Sequence, residues 1–123
     1  MTVTECYERA VSFLPETKEE NTDMTKHMVT WANVLMADTL NYENAFRRAN
    51  GIDELSSPPK VTGQNDEIPY NEKLVAGAFP YGMARWIFRE NEDISGSREY
   101  YSLYAAAIEE ATPAIYGAVE DIY

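Results

Sequence analysis

Few side chains in this sequence are of types that do covalent or metal chemistry, and the spacing gives none of them a partner. Cysteine occurs once, at Cys6, and histidine once, at His27. A nucleophile needs a base within hydrogen-bond reach, and a structural or catalytic zinc needs several Cys, His or carboxylate ligands. Cys6 has only Arg9 beside it as a basic neighbour, so it reads as a packed thiol on a helix, with no intramolecular disulfide open to it. His27 stands apart from any Cys or second His and reads as a surface or packing residue. Glu109 and Glu110 are adjacent, so on a helix they point about 100° apart and cannot share a substrate. Glu90, Glu92 and Asp93 read as a solvated helix end. Gly77 and Gly82 lack the spacing of a phosphate loop, and no Lys-Ser/Thr pair follows them. The expectation is no catalytic, cofactor-binding or metal-ligating residue, no cofactor, and no enzyme activity unless a site is assembled between chains.

Charge narrows the partners. The chain carries 21 acidic and 10 basic residues, a net charge of −11. The distribution is uneven: residues 24–50 are slightly basic, while 100–123 hold Glu109, Glu110, Glu120 and Asp121 with no basic residue. Binding to a phosphate backbone requires Lys and Arg to displace counterions, so the isolated protein is expected not to bind duplex DNA at physiological salt. Such a surface suits plain solubility, a basic partner, or a wall that DNA passes without sticking.

A chain of 123 residues is one domain by length, 1–123, and is long enough to bury a single core. Hydrophobic content of 45% with 9 tyrosines predicts a folded protein. No apolar run approaches the ~18 residues of a membrane span, and the first residues lack a basic-then-apolar signal pattern. The lone cysteine fits a reducing cytoplasm.

The elements are organised around Asp66–Glu92. Pro69 holds Ile68 extended, and Asn71 is placed to cap a helix. Leu74, Val75, Ala78, Phe79, Met83, Trp86 and Ile87 make that helix apolar round much of its circumference, as burial on several sides requires. Gly77, Ala78, Gly82 and Ala84 allow a close neighbour, and Pro80 deletes one backbone bond and should kink the axis. Before it, Thr2 and Glu5 have capping-box spacing ahead of the stripe Val3, Tyr7, Ala10, Val11, Leu14. A second helix of about 28 residues is predicted from the stripe Met24–Ala49, stopped at Asn50-Gly51. Residues 51–69, with Pro58-Pro59, read as an open loop, either an arm that touches a neighbour or a strap over the domain's own core. The last helix is expected to start at a Ser95 or Ser97 cap and to bend at Thr112-Pro113. The predicted fold class is all-α: a small helical bundle of about four helices, near 3–14, 22–50, 71–91 and 97–122, with a long loop, 51–70, between the second and third.

The run Asp66-Glu67-Ile68-Pro69-Tyr70, then Leu74-Val75 and Pro80-Tyr81-Gly82-Met83-Ala84, after a long amphipathic helix and before a Tyr-rich one, resembles the small head–tail connector (adaptor) proteins of tailed bacteriophages. The resemblance covers roughly residues 24–108, and no residue in it has a defined chemical role. It implies a structural virion protein in the neck, assembled in the bacterial host cytoplasm. It implies a homo-oligomeric ring, commonly a dodecamer, below the portal protein, joining the DNA-filled head to the tail. A next neck or tail-completion protein follows, and genomic DNA passes through without specific binding; no membrane is involved. The interface residues so implied are Asp66, Glu67, Ile68, Pro69 and Tyr70 in the loop, and Ile115, Val119, Ile122 and Tyr123 in 113–123, a portal-docking segment. Tyr42, Tyr70, Tyr81, Tyr100, Tyr101 and Tyr104 are candidate anchors, although tyrosine at helical spacing is more often a core residue. The alternative is an acidic DNA-mimic inhibitor that binds a basic host protein. A third reading is a host-encoded helical domain of no special role.

Overall fold

Helix ends follow the local signals closely. In the computed structural model, residues 1–14 and 25–111 are described. Thr2 and Glu5 form the reciprocal capping box that opens α1 (Val3–Val11). Two further helices, α2 (Met28–Asp38) and α3 (Leu40–Ala49), follow, and Gly51 takes the left-handed position after α3 with φ 69°. Asn71 accepts a hydrogen bond from the Leu74 amide and opens α4 (Glu72–Glu90). Asp93 does the same for Gly96 at the start of α5 (Ile94–Glu110). The all-α class holds, with no strand among the described residues.

Several boundaries differ from expectation. The predicted 28-residue helix is two helices, so the described residues hold five helices instead of four. The break is at Thr39, whose hydroxyl donates to the Leu35 carbonyl at 2.7 Å. A threonine that bonds back to the preceding turn competes with the helical ladder and bends it. The last helix begins at Ile94 rather than 97, because Asp93 caps it before Ser95 or Ser97 is reached. Residues 112–123, including the Thr112-Pro113 bend, lie outside the described residues, as does the expected start of the second helix near 22.

α4 is the centre. Phe79, Leu74, Met83, Ile87 and Val75 are among the largest fully buried side chains, and Pro80 lies inside the helix without ending it. α5 packs along α4 most extensively, α1 covers a second side, and α2 a third. Gly82 explains the closeness: a methyl there would meet Leu35 Cδ2 at 2.6 Å and the Tyr104 ring at 3.2 Å. Gly77, expected to play the same part, faces open space. Phe13, Tyr81, Tyr100 and Phe88 form an aromatic cluster, three pairs stacked at 5.1–5.5 Å and Tyr81–Tyr100 tilted at 6.0 Å, that joins α4 and α5 to the chain just past α1. Among the described residues, no helix is long and apolar enough to cross a membrane.

Candidate interaction surfaces

Among the described residues, Cys6 and His27, the two reactive types, are not brought to a partner that would activate them. Cys6 is fully buried, and burial pushes its thiol up to about 12. His27 is exposed and stacks on Trp31 at 5.7 Å. Among the described residues, no three His, Cys, Asp or Glu side chains converge as metal ligands.

The loop 51–70 is tied to the domain along its length. Asn33 on α2 and Asn44 on α3 stand eleven residues apart, about three helical turns, and the break at Thr39 leaves both facing the loop. Each clamps a loop residue through both halves of its amide. Asn44 donates to the Leu55 carbonyl at 2.9 Å and accepts from its N–H at 2.7 Å. Asn33 does the same for Val61 at 3.0 and 2.8 Å. Leu55 and Val61 are six positions apart, ~20 Å of extended chain, close to the ~17 Å that eleven helical positions cover. Pro58 and Pro59, having no N–H to satisfy, fit this extended run.

The segment expected at an interface turns largely inward. Asp66 closes a tight turn, its carboxylate accepting from the amides of Thr62 and Gly63 at 3.0 Å each, which hold its pKa below the ordinary value. Glu67 pairs with the Met1 ammonium at 2.8 Å, beside Glu72 at 2.6 Å, and forms a bridge with Thr2. Ile68 and Tyr70 are buried in the core. The Tyr70 hydroxyl donates to the Met36 carbonyl at 2.6 Å, and burial first, then the nearby Glu43, pushes its pKa up to about 12. Glu67 and Pro69 are the exposed members. The strap alternative therefore describes Ile68 and Tyr70 within this chain. Ile115, Val119, Ile122 and Tyr123 lie outside the described residues.

Sequence reasoning missed Asn33, Asn44 and Glu43. Glu43 is buried, pairs with Arg47 at 2.8 Å, and accepts from the Asn71 amide and side chain at 2.8 and 2.9 Å. It thereby fastens the cap of α4 to α3. The available signal was polar residues beside a stripe that had to be buried.

Two open clefts lie toward opposite ends of α4. One, of about 630 Å³, is lined by Met1, Glu5, Glu8, Arg9, Ser12 and Glu72. The other, of about 620 Å³, is lined by Arg85, Arg89, Ser97, Arg98, Tyr101 and Ser102. From Glu72 to Arg85 and Arg89 is ~20–25 Å along the helix axis at 1.5 Å per residue. Arg85 is fixed between two rings, its guanidinium carbon 5.1 Å from the Trp86 centroid and 4.8 Å from that of Tyr101. Beside it, a smaller pocket of about 170 Å³ is lined by residues including Asp38, Trp86 and Tyr104. The Tyr104 hydroxyl donates to Asp38 at 2.7 Å; burial first, then this bond, holds its pKa well above the ordinary value. Of the tyrosines expected as anchors, Tyr101 is the one exposed, at 52%, whereas Tyr70 and Tyr104 are core.

Comparison with protein-family models, with curated proteins and with solved structures gives no match to this chain.

Proposed function

We propose that the chain is a structural virion protein, a head–tail connector subunit forming a ring below the portal. The observation that carries this reading is the separation of charge along α4: carboxylates gather with α1 at its start, and three guanidiniums gather with α5 near its end. A ring closes by head-to-tail contacts, so each subunit needs two different, complementary surfaces. The overall charge of −11 suits a channel past which genomic DNA moves without specific binding. In this reading the protein has no turnover and needs no cofactor. Its partners are copies of itself, the portal protein and the next neck or tail-completion protein. Residues 113–123 are assigned to portal docking on sequence grounds alone. Its place is the virion neck, after assembly in the host cytoplasm. The mass of the purified protein, alone and mixed with the portal protein of the same virus, tests the reading. A ring on the portal is expected; a chain that stays monomeric and apart from the portal overturns it. The DNA-mimic alternative is weakened by Arg85, Arg89 and Arg98, which put guanidiniums where a mimic presents carboxylates.

A further inference from the structure

We infer that Arg85, Arg89, Arg98 and Tyr101 form one half of a contact between two copies of this chain, and that the other half is the acidic end, Glu5, Glu8 and Glu72. The inference deepens the ring reading and rests on it.

Three of the 10 basic residues of a strongly acidic chain line one cleft. Among the described residues, none of the three makes an ion pair, although 21 acidic residues are available in the chain. The cleft lining contains no carboxylate. Clustered like charges repel, so the arrangement gains from an anionic partner. The surroundings favour a protein surface as that partner. Ile94 is 63% and Tyr101 52% exposed, seven residues apart on α5 with Arg98 between them, so the three share one face. Exposed Tyr and Arg beside apolar surface are the residue types that dominate protein contacts. Arg85 is already oriented by Trp86 and Tyr101, so it loses less side-chain freedom on association.

The complement is present on the same molecule. Glu5 and Glu8 are exposed on α1, and Glu72 lies beside them at the start of α4. Counting Glu67 as well, four carboxylates outnumber the Met1 ammonium and Arg9 in this region. A two-fold contact using either face alone would place like charges together. Head-to-tail contact pairs the opposite faces, and the ~20–25 Å between them along α4 keeps one subunit from satisfying itself.

Charge reversal on the full chain tests this. Arg89, Arg98 and Glu8 are exposed, so R89E/R98E and E8K should melt like the parent protein. Association is read by sedimentation at low and high salt, from micromolar to millimolar protein. The parent is expected to self-associate, more strongly at low salt. R89E/R98E and E8K should each weaken association by about tenfold or more, and combining R98E with E8K should restore a large part of it. Association of the parent with no response to either reversal overturns this interface while leaving the ring reading intact. A parent that stays monomeric throughout, and apart from the portal protein when the two are mixed, overturns both.

Discussion

Gly82 and Gly77 sit five residues apart on α4 and should respond to the same substitution in opposite directions. At Gly82 a methyl meets Leu35 at 2.6 Å and Tyr104 at 3.2 Å, so Gly82→Ala overpacks the junction of three helices. Overpacking costs about 1–3 kcal/mol, more than the ~0.5–1 kcal/mol that alanine contributes to a helix. At Gly77 nothing lies within 4 Å, so Gly77→Ala should stabilise by that helix contribution alone. Urea midpoints should fall for the first and rise for the second; equal shifts would refute the packing described. Cys6 sets a pH dependence. Burial raises its thiol from 9.0 to about 12. Below pH 9 the folded and unfolded chains both hold the proton. Between 9 and 12 the unfolded chain ionises while the folded chain cannot, so stability falls as pH rises. Comparing urea midpoints with Cys6→Ala across that window should show the gap between the two proteins shift in favour of the variant.

At the level of whole elements, the long loop owes its path to two asparagines. Asn33→Ala strands the buried backbone of Val61, at about 1–3 kcal/mol per unsatisfied group, whereas Asn44→Ala leaves Leu55 partly open to water and should cost less, about 1 kcal/mol. Amide hydrogen exchange at Val61 and Leu55 should speed up in the corresponding variant; unchanged protection would mean that the strap is held by something else. The start of α1, the end of α3 and the start of α4 were legible beforehand because they rest on neighbours in sequence: the Thr2–Glu5 box, Gly51 and the Asn71 cap are local devices. The break at Thr39 was not legible. The apolar stripe runs straight through it, and the hydroxyl bond to Leu35 is one of two outcomes open to any helical threonine. The clamps of Asn33 and Asn44 were hidden for a different reason, since their partners lie 28 and 11 residues away. The cleft of Arg85, Arg89 and Arg98 needed the pairing of α4 with α5, which periodicity alone does not supply.

Over the whole molecule, charge decides what the protein avoids as much as what it meets. Net charge of −11 should keep duplex DNA away at physiological salt even with the arginine cleft present, because three guanidiniums release too few counterions against that background. Salt-sensitive micromolar binding of duplex DNA would contradict the channel reading and the mimic reading together. The arginine face also separates those two: a mimic loses nothing when Arg89 and Arg98 are reversed, whereas a ring subunit loses its neighbour.

The N-terminal helix has a consequence for how the protein is made. Val3, Cys6, Tyr7 and Ala10 are buried chiefly against α4, and Met1, Val3 and Thr4 take their backbone partners from Ile68, Asp66 and Gln64. α1 leaves the ribosome before α4 and so lacks its main docking surface until most of the chain has followed it. At ~5–20 residues per second, the interval before α4 emerges is roughly 4–15 s. Throughout it the nascent chain carries an unpaired apolar stripe, while α4 and α5, neighbours in sequence, can pair as soon as both are out. Translation speed and chaperone supply should thus govern the yield of soluble protein, and a circular permutation placing α1 after α5 would remove the wait.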